Sequence, residues 1–203
     1  MIGRKRRDAG QVFPIYMMMV AFLLLLAFAF FAVGKAAALR NEAQGAADAA
    51  ALAAAQKTRE DFEAPFLASL PEDVLDLFLQ NHMVTGCPAA HSMASANNAR
   101  VVDGGCTWSH SGYRDRITVE VEGRKAVDSS VLEGSEETKA KAEATAIVEF
   151  RCSWRSVDLN DDSIRDIFFF TCKGGEFLEI RPSSPPPWDR VSKILFDVRL
   201  VEN

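Results

Sequence analysis

The sequence predicts an α+β protein in which one long N-terminal helix packs on an antiparallel β-sheet. Two observations carry this prediction. Residues 12–33 are uncharged and almost wholly hydrophobic, and they run into an alanine-dense segment that favours helix. Several later segments alternate hydrophobic and polar residues, as half-buried strands do. We therefore divide the chain into a basic leader at 1–11, a transmembrane helix at 12–33, a stalk helix at 34–60 and an extracytoplasmic α+β domain at 61–203.

Residues 12–33 are long enough to cross a membrane. At a rise of about 1.5 Å per residue the segment reaches about 33 Å, and a bilayer's hydrocarbon core is about 30 Å thick. Residues 1–33 carry a net charge of +3, so the remaining residues carry −8 of the total of −5. The segment would then be a single-pass anchor in the cell membrane. The positive-inside rule places the N-terminus in the cytoplasm and the body outside the cell membrane. A cleaved secretory signal is the alternative, although its apolar region usually has only about 7–15 residues.

The stalk carries a line of mostly small residues that suits close helix packing. The line has 4-3-4-3 spacing and consists of Leu39, Ala43, Ala46, Ala50 and Ala53. On another face, Arg40 and Asp48 form a polar line that either sets the register of packing or is simply solvated. Alternate alanines at 140–146 would leave a shallow groove on a strand. An alanine-faced helix could lie in that groove, so we expect the stalk to pack on the sheet.

The body is expected to begin with short helices and to continue as strands. Pro65 is expected to end the long helix, and Ser69 with Glu72 has the form of a capping box that opens the next helix. His82 is expected at the surface, at the end of that helix. A third helix is predicted at 88–98, and strands are predicted at 117–121, 140–150, 167–172, 177–181 and 194–200.

The body contains four cysteines, which are Cys87, Cys106, Cys152 and Cys172. An exported, oxidising location favours two disulfides, and three pairings exist. We favour the pairing of sequence neighbours, in which each bond closes a loop of about 20 residues and contributes about 3 kcal/mol. The alternative is a zinc set, because His91 and His110 follow two of the cysteines at one shared spacing.

One further segment has the spacing of a metal site. Asp158, Asn160, Asp162 and Asp166 match the oxygen ligands of a calcium loop, although the loop's usual glycine and its final acidic residue are both missing. The alternative is a polar hairpin tip between two strands. Apart from this calcium ion, we expect no cofactor.

The remaining patterns exclude several classes of function. The acidic body argues against a nucleic-acid partner, since binding to phosphates requires a basic face. The sequence contains no nucleophile elbow, HExxH motif, phosphate-binding loop or dinucleotide glycine pattern. We therefore predict a protein that is not an enzyme.

The N-terminal residues resemble a known family. Asp8-Ala9-Gly10-Gln11, the apolar span, and then Arg40, Gln44 and the alanine-rich segment 47–55 are similar to TadE/TadG-like, pseudopilin-type proteins of tight-adherence (Flp) pilus systems. The segments 148–152 and 196–200 resemble the exported bodies of this group more loosely.

The resemblance implies a non-enzymatic, single-span component of pilus assembly. Such a protein would pack through its N-terminal helix with other pilin-like or assembly proteins, in an oligomer or heteromeric assembly, and display its body at the cell surface. The resemblance also implies a prepilin-like leader cut between Gly10 and Gln11, although Ile15 stands where pilins of this class carry glutamate. The alternative function is a membrane-tethered binding module for a cell-wall polymer or protein, steadied by calcium.

Overall fold

The computed structural model describes residues 12–126 and 139–201 and confirms the predicted α+β fold. The helices of the described residues are α1 (Val12–Asp61), α2 (Glu63–Ser69), α3 (Leu75–Asn81), α4 (Cys87–Ala96) and α5 (Trp188–Leu195). The strands are β1 (Ala99–Ser111), β2 (Arg114–Ala126), β3 (Lys139–Phe150), β4 (Cys152–Val157), β5 (Ile167–Cys172), β6 (Phe177–Ile180) and β7 (Phe196–Val201).

The strands form two antiparallel sheets. The larger sheet has the order β1-β2-β3-β7, and the smaller has the order β4-β5-β6. The C-terminal half of α1 packs across β3, β2 and β7 of the larger sheet. Ala144 and Ala146 of β3 are buried beneath this helix, together with Ile117 and Val119 of β2. The alanine groove predicted on this strand is therefore the surface on which the helix lies.

An aromatic cluster joins the end of α1 to both sheets. Phe66 of α2 is fully buried and lies within about 6 Å, between ring centroids, of Phe170 in β5 and Trp188 in α5. The indole nitrogen of Trp188 donates a hydrogen bond to the backbone oxygen of Arg59, at 3.2 Å. Apolar burial thus holds α2 on the body, and a hydrogen bond to its backbone holds the last turn of α1.

Two disulfides join the four cysteines in the favoured pairing of sequence neighbours. Cys87–Cys106 connects the first residue of α4 to β1. Cys152–Cys172 connects directly opposite residues of β4 and β5. The predicted pairing is confirmed.

The helix predicted at 88–98 is confirmed as α4, but the helices before it begin and end at residues other than those expected. α1 ends at Asp61, and Pro65 lies inside the first turn of α2, where a proline is tolerated because no intrahelical partner is needed for its missing N–H. Ser69 does not open a helix. It is the last residue of α2, and its buried hydroxyl donates to the backbone oxygen of Phe66 at 2.7 Å. The capping-box prediction was therefore wrong.

The C-terminal prediction was partly wrong. The alternation at 194–200 correctly indicates β7, but the strand begins at Phe196, and Ile194 lies in α5. The helix α5 was missed, although Val191 and Leu195 share its buried face at the i, i+4 spacing. β1 was also missed. Its pattern is interrupted between Val101 and Cys106, where its register with β2 shifts, so it shows no simple alternation.

Candidate functional site

The N-terminal part of α1 is an apolar helix that the body does not cover. Its large side chains are mostly more than half exposed, including Phe13, Met18, Leu24, Phe28 and Phe31. Within the described residues, α1 is the one helix that is long and apolar enough to cross a membrane, judged by length and composition. We call residues 12–42 the outer half of α1.

The C-terminal part of the same helix is embedded in the body. We call residues 43–61 the inner half. Its fully buried residues recur at steps of three and one along the helix, and they are Ala43, Ala46, Ala47, Ala50, Ala51, Ala54, Ala55 and Thr58. This double stripe is broader than a coiled-coil seam, because it rests on a sheet and on α4 at the same time.

The predicted packing line coincides with the stripe only in part. Ala43, Ala46 and Ala50 are buried against the chain's own body, whereas Leu39 and Ala53 are half-buried. A line of 3.5-residue period drifts by about 20° per heptad around a straight helix, so its two ends leave the contact face. The body covers the buried alanines, whereas the large apolar side chains of α1 that stay exposed all lie in the outer half.

The polar line lies at the edge of the contact between helix and sheet. Arg40 is exposed, and Asp48 accepts a hydrogen bond from Gln44 Nε2 at 2.9 Å. The same nitrogen lies 3.4 Å from the backbone oxygen of Glu143 in β3. The amide of Gln44 therefore bridges the helix to the sheet between the two charged residues that the sequence singled out.

The inner half and α4 approach each other closely at Gly86. A β-carbon at this position would lie 1.9 Å from the backbone oxygen of Ala54 and 2.7 Å from Thr58 Oγ1. Ala90 and Ala94 are fully buried on α4, so small residues also line the rest of this contact. The short distance between the two backbones requires glycine here.

A buried group of ionisable side chains lies below the end of α1. We call His82, His110 and Asp115 the histidine–aspartate cluster. Asp115 Oδ2 accepts from His82 Nε2 at 2.5 Å, and Asp115 Oδ1 accepts from His110 Nδ1 at 2.8 Å. His82 Nδ1 donates to the backbone oxygen of Phe78 at 3.0 Å. The side chains of His82 and Asp115 are 6% and 2% exposed.

The negative charge of Asp115 favours the protonated form of His82. Burial lowers the pKa of His82, but the hydrogen bond to Asp115 and the negative charge of that carboxylate together outweigh it, so the pKa lies above its ordinary value. The protonated ring has two N–H groups, and both have acceptors in this arrangement. The expectation that His82 lies at the surface was wrong.

Sequence reasoning missed this cluster, although one signal was available. Asp115 is in phase with Ile117, Val119 and Val121, the buried face of β2. An aspartate on a buried face requires partners, because burial of an unpaired carboxylate is costly.

The zinc set predicted from the cysteine–histidine spacing is excluded. Its two cysteines, Cys87 and Cys106, are bonded to each other and offer no thiolate, and His91 is exposed on α4.

The predicted calcium residues lie in the loop between β4 and β5. Their carboxylates accept hydrogen bonds from the loop's own amides. Asp158 bonds to Asn160 and Ser163, Asp162 to Ile164, and Asp166 to Leu159, at 2.8–3.0 Å. The alternative prediction of a polar hairpin tip describes this arrangement. Calcium binding stays a prediction.

The predicted cleavage point at Gly10 and Gln11 lies outside the described residues.

The N-terminal segment that resembles a known family matches the model of that family. The Tad family model, described as "Putative Flp pilus-assembly TadE/G-like", matches residues 10–57. The matched residues include nearly all of α1 and none of the strands. Comparisons with the curated proteins and with the solved structures found no match. Residues 10–57 are therefore a TadE/G-like segment, and the family predicted from the sequence is confirmed for this part of the chain.

Proposed function

We propose that this protein is a non-enzymatic, single-pass component of a tight-adherence pilus assembly system. The TadE/G-like segment indicates involvement in such a system. The observation that carries the specific role is the division of α1. One uninterrupted helix exposes its large apolar side chains along residues 13–33 of its outer half, and it is built into the body along its inner half.

Because of this division, one continuous helix would connect the body rigidly to the membrane. The outer half would be about 46 Å long at about 1.5 Å per residue, which exceeds the roughly 30 Å hydrocarbon core. The inner half is fixed by its buried alanines, and Glu42, the last residue of the outer half, forms an ion pair with Lys125 of β2 at 3.1 Å. We infer that the N-terminus is cytoplasmic and that the body stands just outside the membrane, without a flexible linker.

We further propose that partner helices pack on the outer half. Ala27, Ala29 and Ala32 lie among large apolar side chains there, and Gly34 has no neighbouring atom within 4 Å of its β-carbon position. In a bilayer, small residues let helices approach closely and gain van der Waals contact. Pilin-like or other assembly proteins with apolar N-terminal helices are the partners that suit such a surface.

Charge substitutions in the outer half test the proposal in the native bacterium. Leu24→Arg with Phe28→Arg should cost about 2.5–3.5 kcal/mol per residue at the centre of the span, and should abolish both membrane retention and surface fibres. Leu159→Arg is the matched control, since Leu159 is an exposed apolar residue of the body. Fibres that persist after the protein has left the membrane would contradict the proposal and favour a separable binding module.

We also propose that the leader is cut between Gly10 and Gln11. Mass spectrometry of the protein recovered from membranes reads its N-terminal residue directly. A chain that starts at Gln11 supports the proposal. A chain that keeps Gly10 contradicts it and leaves a permanently anchored assembly protein.

A further inference from the structure

We propose that the histidine–aspartate cluster binds a divalent transition-metal ion of the zinc class, with His82, His110 and Asp115 as its ligands. This proposal does not depend on the proposed role in pilus assembly. Each of the three residues offers one ligand atom, and these atoms lie within 4.8 Å of one another. Two imidazoles and one carboxylate are a set that zinc and its neighbours in the first transition row accept, with one position left open.

The ligands come from three separate elements of the body. His82 follows the last residue of α3, His110 lies near the end of β1, and Asp115 lies near the start of β2. An ion held among them would connect the end of α3 to the β1–β2 hairpin. The Cys87–Cys106 disulfide already connects α4 to the same strand β1, so the ion would be a second cross-link between the helices and this sheet.

One imidazole of the cluster shows the arrangement usual for a metal-bound histidine. The far ring nitrogen of His82, Nδ1, donates to a backbone oxygen, which fixes the ring. Nε2 faces Asp115, and an ion bound there would replace the proton that Nε2 now donates to the carboxylate.

Two of the three proposed ligands border solvent. His82 forms part of the wall of a surface pocket of about 340 Å³, which is lined as well by Phe62, Phe78, Asn81 and Met83. The side chain of His110 is 19% exposed. An ion would enter past these two side chains, since Asp115 itself is buried.

Zinc binding by the full-length protein is the direct test. The protein is purified in detergent without a polyhistidine tag, stripped with a chelator and titrated with Zn²⁺ against a chromophoric competitor. We expect one equivalent to bind, and a rise in unfolding temperature of roughly 5–10 °C when free Zn²⁺ exceeds Kd a hundredfold. A wild-type protein that binds no zinc and shows no rise would overturn the proposal, and the cluster would then be a hydrogen-bonded ion pair only.

Variants locate the site. His110→Gln should weaken zinc binding by more than about tenfold, because it removes one ligand from the set. His91→Gln is the matched control, since His91 is the remaining histidine of the chain and is exposed on α4. Substitution with Co²⁺ provides a second readout in wild-type protein, because its absorption spectrum reports nitrogen and oxygen ligands. Zinc binding that His110→Gln leaves unchanged, or that His91→Gln abolishes, would overturn the assignment.

Discussion

The two halves of α1 show how one helix can suit two different environments, a membrane and the interior of a protein domain. The outer half exposes large apolar side chains such as Phe28 and Phe31, which only a membrane or another helix would cover. The inner half buries alanines such as Ala47 and Ala51 completely. Large side chains supply the hydrophobic length that a bilayer needs, whereas small ones let the helix backbone lie close to a sheet and to α4. Local helix propensity is shared by both halves, so packing distinguishes them.

The contact at Gly86 should be the most sensitive point of the inner half. Gly86→Ala would place a methyl group 1.9 Å from the backbone oxygen of Ala54, and neither backbone can move away freely. We expect the free energy of unfolding to fall by about 3 kcal/mol or more, at the upper end of overpacking effects. Thermal or denaturant unfolding of the purified protein measures the change.

Gly45→Ala is the matched control for this prediction. A β-carbon at Gly45 meets no atom within 4 Å, and the residue lies inside α1. This variant should stabilise the protein by about 0.4–1 kcal/mol, because alanine is the better helix former. Equal effects of the two variants would mean that α4 does not lie against the inner half.

Overpacking the alanine stripe should have a smaller effect than the change at Gly86. Ala50 of α1 is fully buried against the body, so Ala50→Leu inserts three carbon atoms into a filled contact. We expect a loss of about 1–3 kcal/mol in denaturant unfolding. Leu24→Ala in the outer half should change the unfolding of the body by less than about 0.5 kcal/mol. A large effect of Leu24→Ala would contradict the separation of the two halves.

The sheet beneath the inner half should lose stability in acid. The hydrogen bond from Arg114 to Glu149 holds the pKa of that carboxyl below its usual value, against the effect of burial, and Lys173 and Arg199 lower it further. Because the folded-state pKa is depressed, this contribution to stability is present above about pH 4.3, the ordinary glutamate value, and is lost as pH falls through the folded-state pKa.

Glu149→Gln tests that contribution. It should reduce the free energy of unfolding by about 1 kcal/mol at neutral pH, since its partners are partly exposed, and the difference from wild type should vanish in acid. Glu72→Gln is the control, because Glu72 is exposed in the turn between α2 and α3. A difference for Glu149→Gln that persists unchanged below pH 3 would show that the carboxylate is not the stabilising form.

The fold could be predicted where a local pattern and the tertiary contacts agree. Alternation indicated β3 because Ala144 and Ala146 face the helix while Glu143 does not, and the alanine-rich segment indicated α1 because nothing interrupts it. Pro65 and Ser69 misled because each residue type suits two positions. A proline can follow a helix or lie in its first turn, and a serine can cap the start of a helix or lie in its last turn. The sequence alone does not show which role tertiary packing selects.

The candidate site was predicted less completely than the fold. The apolar span was evident from its length, but the boundary at Ala43 depends on where the sheet and α4 meet the helix. The histidine–aspartate cluster joins residues 33 and 5 positions apart in sequence, and no spacing motif connects them. Only the inward phase of Asp115 on β2 pointed to it.

Hydrogen–deuterium exchange of the protein in lipid nanodiscs, over a urea series, tests the division of α1 most directly. If the inner half belongs to the body, its amides should lose protection at the same urea concentration as those of β3. The amides of the outer half, shielded by the bilayer, should stay protected after the body has unfolded. Loss of protection along the whole helix in one step, or exchange of the inner half well before β3, would contradict this account.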